Sequence, residues 1–388
     1  MIVAQIIFWS FIFLLAYTYV IYPAFLLIVG KFFKDNKDTY ILETDLPKIS
    51  ILMSVYNEEK IIQEKIESVF TTNYPLSKIE LIIGSDKSTD QTHSIINDLK
   101  NTFPEINLVI NTERKGKIKT INSLITKADG DILILTDAKA IFTPNTIFEL
   151  VKHFKNPKIS IVGSNIVSKQ KSKKGSGLQE TFYMNYENKL KYLEGLIFKR
   201  TLGVFGACYA IRKKDFEQVP EHLLVDDLYT SLDCMSKKKH VIYSKEAIVF
   251  ENVTPEIKEE FRRKKRIATG DFQVLKIFIK YLFLPFTKTG FCFISHKVIR
   301  WIGFFLLFSV LLLNIPLANE HIIYTILMFS QLFFYLSPLI DKCLRKFKIQ
   351  IIPLRFVTHF VYMNIAMFIG FITFIKGVKT NVWEPTKR

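Results

Sequence analysis

The sequence predicts an α/β domain carried between membrane-spanning helices, and three observations point there. Apolar and polar residues are segregated along the chain, with apolar ends and a polar middle. Residues 6–30 form an uncharged apolar run longer than the roughly 20 residues a helix needs to cross the hydrocarbon core. Between Pro47 and Phe250, short apolar runs alternate with segments of helical periodicity, the order of elements that builds a largely parallel sheet.

The first apolar run reads as a span rather than a cleaved signal peptide, because Met1 to Gln5 carries no basic residue. Lys31, Lys34 and Lys37 follow it, so the positive-inside rule places the middle domain in the cytosol. Three further stretches, at about 298–317, 322–340 and 351–375, are too long for strands and give about three C-terminal spans. The basic residues 341–348 read as a cytosolic loop, and the nearly uncharged 317–321 as a loop on the opposite side. Four simple crossings would leave the basic tail outside, so either one segment is re-entrant or the count differs. The organisation expected is a span over 1–31, a cytosolic domain over 46–253, basic and amphipathic interface helices over 254–296, spans over 297–376, and a basic tail over 377–388.

The 388 residues carry a net charge of +17. Beside apolar spans, such charge fits anionic headgroups or phosphorylated ligands, and no nucleic-acid partner is expected. Cys208, Cys234, Cys292 and Cys343 have no metal-ligand spacing, and the cytosolic reading makes them free thiols.

Within the middle domain, 49–55, 79–84, 107–110, 131–136 and 158–163 read as strands. Residues 58–70 place Ile61, Ile62, Ile66, Val69 and Phe70 on one helical face, and 115–127 repeat Ile118, Ile121, Leu124 and Ile125 at the same period. The segment 169–174 is the nearest approach to a charge-rich loop. Ligands of such sheets bind beyond the carboxyl ends of the strands, where this chain has Tyr56-Asn-Glu58, Asp86 among Ser85, Ser88 and Thr89, and Asp137-Ala-Lys139.

Each of these groups has a plain structural reading and a functional one. Asp86 either caps a turn or accepts a hydrogen bond from the N3–H of uracil; guanine offers a donor edge too, whereas cytosine does not. Asp137 either caps a helix or ligates Mg²⁺ or Mn²⁺ together with substrate phosphates. Arg114, Lys115 and Lys117 around Gly116 form a solvated basic face or, at a helix N-terminus, a diphosphate cradle. Asp226 and Asp227 open a helix: they complement its dipole, or one deprotonates an acceptor hydroxyl while the other tunes it. Arg263 and Arg266, before the amphipathic stretch 271–286, face lipid, the donor diphosphate or the acceptor.

Taken in order, SVYNEE, GSDKSTDQT, RKGKIKTIN, LTDAKAIF, GACYAIRKKDF, VDDLYTSLDCMSKKKHVIY and RRKKRIATGDFQ resemble the motifs of family 2 glycosyltransferases. That group has a GT-A fold, Rossmann-like and built for nucleotide-diphospho-sugars, and includes the cellulose, chitin and hyaluronan synthases. The resemblance covers about residues 47–273. It implies that Tyr56, Glu58 and Asp86, with Arg114 and Lys117, bind the donor nucleotide, that Asp137 is the first carboxylate of the metal-binding DxD, and that Asp227 is the catalytic base with Asp226 beside it. It further implies that the segment from Gly206 to Tyr209 lines the acceptor site and that Arg263 and Arg266 contact acceptor or diphosphate.

Two departures stand out. Lys139 replaces the second DxD carboxylate, which reduces the expected Mg²⁺ or Mn²⁺ site to one protein ligand. The QxxRW motif of processive synthases appears as Arg263-Lys-Lys-Arg266-Ile267, without its glutamine or its sugar-stacking tryptophan. The resemblance therefore implies an inverting transferase, embedded in the plasma (inner) membrane, moving sugar from a UDP-sugar to a lipid-linked or polysaccharide acceptor in cell-surface glycan synthesis. Its partners would be membrane lipids and other envelope glycan-assembly proteins. A processive synthase and a non-catalytic membrane scaffold are the rival readings.

Overall fold

A computed structural model describes residues 1–168, 176–251, 257–347, 349 and 351–378. The charge-rich segment 169–174, Lys348 and tail residues 379–388 lie outside them. The chain divides into two compact units, one of Met1–Leu27, Ser172–Phe182 and Thr254–Gly377, the other of Ile28–Lys171, Tyr183–Val253 and Val378–Arg388.

The second unit is built on β1 (Ile49–Val55), β2 (Ile79–Ser85), β3 (Ile106–Ile110), β4 (Ile132–Thr136), β5 (Ile141–Phe142), β6 (Ile159–Ser168), β7 (Cys208–Arg212) and β8 (His240–Glu251). They form one eight-stranded sheet in the order β3-β2-β1-β4-β7-β6-β8-β5. The β3-β2-β1-β4 half is parallel, as expected, and its central strands are buried along nearly their whole length, the pattern of a sheet covered on both faces. The other half is mixed. β7 runs antiparallel to both β4 and β6, pairing Cys208 with Thr136, and β5 runs antiparallel to β8. The largely parallel sheet read from the sequence is thus a half sheet, because the connection before β7 reverses the chain.

Two helices on the parallel half carry the site. The helix Ile62–Phe70 buries Ile62, Ile66, Val69 and Phe70, and the helix Lys117–Ile125 buries Ile118, Ile121 and Leu124. The latter begins at Gly116, whose φ of 82° is a conformation that costs glycine little and other residues more. A Cβ on Gly84 would lie 2.5 Å from the Thr120 side chain, so this helix sits hard against β2.

His153, in the turn Lys152–Lys155, is buried with neither ring nitrogen hydrogen-bonded. Burial, assisted by Lys152, holds its pKa at about 4, below the 6.5 of an exposed histidine. The unfolded chain therefore takes up the proton first, and stability present above pH 6.5 is lost as pH falls toward 4, about 2 kcal/mol of it by pH 5. His153→Leu removes no hydrogen bond, so its thermal midpoint should fall less between pH 7 and pH 5 than that of the wild type. Equal falls would remove His153 from the account.

Among the described residues of the first unit, three helices are long and apolar enough to cross a membrane: Ile2–Gly30, most of which belongs to this unit, Ile322–Lys346 and Ile352–Lys376. The pair Lys288–Trp301 and Gly303–Leu317, bent by 60°, makes a fourth if counted as one span. That bend falls at the start of the region read as a single crossing from 298 to 317. The basic loop expected over 341–348 is helical through Lys346, and Arg345 pairs with Asp341 one turn back at 3.2 Å. Hydropathy marks where apolar side chains stop, not where the helix ends.

Phe8 packs with Val310, Leu317 and Tyr324, and Trp9 Nε1 donates to the Tyr324 hydroxyl at 3.2 Å. The basic motif 261–267 lies on the helix Ile257–Ile277. This helix packs closely on Ile352–Lys376: a Cβ on Gly370 would lie 2.5 Å from that of Ala268, and the Thr269 hydroxyl donates to the Gly370 carbonyl at 3.2 Å. Cys208, Cys234, Cys292 and Cys343 are all free thiols.

Candidate active site

The loops after β1, β2 and β4 and the start of the helix Asp227–Ser236 bring most of the sequence-selected residues together in the second unit. Asp86 directly follows β2 and is buried. Its Oδ1 accepts from the Lys115 amide at 2.6 Å and from Asn111 Nδ2 at 3.4 Å; its Oδ2 accepts from the Gly116 amide and from Arg114 Nε, each at 3.1 Å. These four donors fill the lone-pair sites of a carboxylate, so Asp86 holds the loop leading into the helix Lys117–Ile125. The Asn111 contact is the longest and the easiest to displace.

Arg114 lies over the Tyr56 ring, its guanidinium carbon 3.4 Å from the centroid. The Tyr56 loop is tied to the Asp86 loop through Asn57, which has a φ of 54°, accepts from the Thr89 amide at 2.8 Å and donates its own amide to Ser88 Oγ at 3.1 Å. Glu58 donates its amide to Thr92 Oγ1 at 2.9 Å, and its carbonyl accepts from the amides of Ile61 and Ile62. Part of its place in the sequence motif is thus a helix-entry role.

Lys117 links the two sides of the site. Its Nζ lies 2.8 Å from Asp137 Oδ1 and 3.8 Å from Asp226 Oδ2, and donates to the Gly206 carbonyl at 3.3 Å. Burial alone would lower the pKa of this ammonium, but Asp137 and Asp226 carry it above the ordinary lysine value. The Gly206 amide donates in turn to Asp227 Oδ2 at 2.8 Å, and the Leu228 amide donates to Asp227 Oδ1 at 2.7 Å. Burial raises the pKa of Asp227, and the neighbouring Asp226 raises it further, against the opposing fields of Lys191 and Lys117. Asp226 is the N-cap residue and Asp227 the first residue of its helix, so the two carboxylates leave the backbone in different directions. One faces the lysine-bridged acid, the other the Gly206 amide.

Arg263 and Arg266 are not among these side chains. They belong to the other unit, on the helix Ile257–Ile277, where Arg263 Nη2 pairs with Glu180 Oε1 at 3.0 Å.

Residues 50–219 match the family model described as Glycosyl transferase family 2. They form a family 2 glycosyltransferase domain. Among curated proteins, the chain is 24% identical over 249 residues to the probable glycosyltransferase YdaM of Bacillus subtilis, covering 62% of this chain and 59% of that one. It is 27% identical over 232 residues to a poly-beta-1,6-N-acetyl-D-glucosamine synthase of Staphylococcus epidermidis, covering 58% and 55%. The chain spans less than two thirds of the length of these relatives. Among solved structures, the mannosyltransferase PcManGT of Pyrobaculum calidifontis, in complex with GDP-Man and Mn²⁺, aligns with a TM-score of 0.71 at 20% identity, over 95% of this chain and 99% of that one. The GT-A fold implied by the sequence motifs is the fold found.

That mannosyltransferase was solved with Mn²⁺, so the glycosyltransferase domain can be tested for a place to hold a divalent cation. Among its described residues, no three His, Cys, Asp or Glu side chains are grouped to bind one. Lys139 is drawn to Glu251, at 2.5 Å, and Asp137 presents a partly exposed carboxylate with Lys117 alongside. This donor set fits a cation held by one carboxylate and substrate phosphates. The sequence reading missed Glu251, the last residue of β8, whose position at a strand end was the available signal.

Proposed function

We propose that this domain transfers a sugar, with inversion, from a nucleoside-diphosphate donor, expected to be a UDP-sugar, to a hydroxyl of a membrane-associated acceptor. The supporting observation is the chain of contacts from Asp137 through Lys117 and Gly206 to Asp227, which joins a diphosphate-facing cluster to a carboxylate of raised pKa.

The base stacks at the face made by Tyr56 and Arg114, and its N–H reaches Asp86 where Asn111 now makes its long contact. Glu58 sits at the same loop. Lys117 places a fixed positive charge where the leaving diphosphate accumulates negative charge. A Mg²⁺ or Mn²⁺ held by Asp137 and the donor phosphates would supply Lewis-acid stabilisation of the same charge. Asp227 takes the acceptor proton as the oxygen attacks the anomeric carbon, so an α-linked donor gives a β-linked product.

In this reading the domain faces the cytosol from the plasma membrane, the basic and amphipathic segment 254–296 meets lipid headgroups, and Arg263 and Arg266 serve acceptor or headgroup phosphate. Acceptors are lipid-linked sugars or growing glycan, with other glycan-assembly proteins as neighbours. The similarity to a poly-beta-1,6-N-acetyl-D-glucosamine synthase supports a second reading, repeated addition to a polymer.

The test is a screen of UDP- and GDP-sugars with membranes containing the full chain, reading nucleoside-diphosphate release and then product mass. Release with every acceptor-dependent product one sugar longer supports single transfer, and a ladder of products supports the polymer reading. No release with any donor would overturn both.

Gly206 gives a sharper check on the base. A Cβ there would lie 3.0 Å from Asp227 Oδ2, a tight contact that the carboxylate must relieve by moving a few tenths of an ångström. Gly206→Ala should push the carboxylate off its amide and cut kcat by about tenfold or more, since misplacement of this size breaks reactive alignment. Unchanged kcat would place the acceptor hydroxyl elsewhere.

A further inference from the structure

The helix Ile62–Phe70 hides a lysine on its apolar face. Lys65 is fully buried between Ile62 and Ile66, where a leucine would satisfy the packing. Its Nζ donates to Thr136 Oγ1 at 3.0 Å and to the Ala140 carbonyl, and lies 3.4 Å above the centre of the Phe142 ring. A buried amine is costly unless its partners need it, and exchanging buried polar groups for apolar ones of similar volume is often neutral or stabilising. Stability alone therefore gives a weak reason for a lysine here.

Its two acceptors give a better one. Thr136 is the last residue of β4 and Ala140 the last before β5, so they bracket the turn Asp137-Ala138-Lys139. Within that turn the Ala140 amide donates to the Asp137 carbonyl at 3.2 Å, and the Asp137 amide donates to the Ala207 carbonyl at 2.9 Å. The Thr136 hydroxyl also lies 3.1 Å from that same Ala207 carbonyl. One amine thus grips both ends of the turn, and the turn is pinned to the residue after Gly206, whose amide holds Asp227.

We propose that Lys65 is a positioning residue that fixes the Asp137 turn, and so the Asp137 carboxylate, relative to the Gly206–Asp227 side of the site. The proposal rests on the reading of Asp137 as the carboxylate that faces the donor diphosphate. Burial lowers the pKa of Lys65 to about 7, yet a neutral amine still has a hydrogen for each acceptor, so the clamp does not depend on the charge.

Two variants of the full chain test it. Lys65→Met keeps the length and removes both donors; Thr136→Val keeps the shape, removes one acceptor, and decides the matter if Lys65→Met does not fold. Hydrogen exchange read on peptides covering residues 137–140 should be at least about tenfold faster in Lys65→Met, and faster by a smaller factor in Thr136→Val. Peptides covering Lys115–Lys117, held by Asp86, should exchange as in wild type. With a donor found by the screen above, kcat should fall about tenfold while the acceptor KM stays within about twofold. Unchanged exchange at 137–140 in the folded variants overturns the clamp, and faster exchange with unchanged kcat overturns its part in the reaction. A wild type inert toward every donor would sink the functional reading instead, with the clamp still judged by exchange.

Discussion

Asp227→Asn should leave a folded protein that transfers sugar about 10²–10⁴-fold more slowly, the range that a general base contributes. The amide keeps the size of the carboxylate and can still accept from the Gly206 amide, the contact made by Asp227 Oδ2 at 2.8 Å, giving up only the contact of Oδ1 with the Leu228 amide. What it cannot do is take a proton. In the wild type, burial and Asp226 raise the pKa of Asp227, so its proton-accepting form fills only as pH rises past the ordinary carboxylate range. The rate should therefore climb with pH along an acid limb set by that raised pKa, and Asp227→Asn should lose both the rate and the limb. Donor binding, measured as the KM for the nucleotide sugar, should change little, because the contacts of Asp86, Tyr56 and Arg114 lie on other loops. Near-normal transfer by the folded variant would remove Asp227 from the mechanism.

The parallel half of the sheet was legible in the sequence because each strand there is an apolar run ending in a polar motif: β1 at Tyr56, β2 at Asp86, β4 at Asp137. Ligands of such sheets meet those ends, so the motif order alone collected most of the site. The mixed half was not legible. β7 is buried like β4, and nothing in its composition says that it pairs antiparallel with Thr136 across 72 residues of chain. The two-residue β5 is too short to show a period. Lys65 escaped for a different reason. A lysine within an apolar stripe ordinarily reads as a stem reaching to water, and its partner Thr136 lies 71 residues away. The pairing of Lys139 with Glu251 was hidden in the same way, since a departure from DxD shows that a carboxylate is missing but not which strand end answers the lysine.

Lys117→Met should be the second large effect, and its signature is a coupled one. Lys117 lies 2.8 Å from Asp137 and 3.8 Å from Asp226, so removing it takes the bridging cation from two neighbouring carboxylates and removes fixed positive charge from the leaving-group side. Loss of one preorganised electrostatic contact of this kind costs about 10²–10³-fold in kcat. The same ammonium lowers the pKa of Asp227, so in its absence that pKa rises and the base needs a higher pH to give up its proton. The acid limb of the rate profile should then move upward in pH, whereas it would stay in place if the lysine only held the donor. Lys117→Arg separates charge from shape: it keeps the limb in place, but a planar fork cannot take the position of a compact ammonium between two acids, so kcat still falls. A lowered kcat with an unmoved limb in Lys117→Met would break the link from donor side to base, and an unchanged kcat would leave the lysine a structural ion pair.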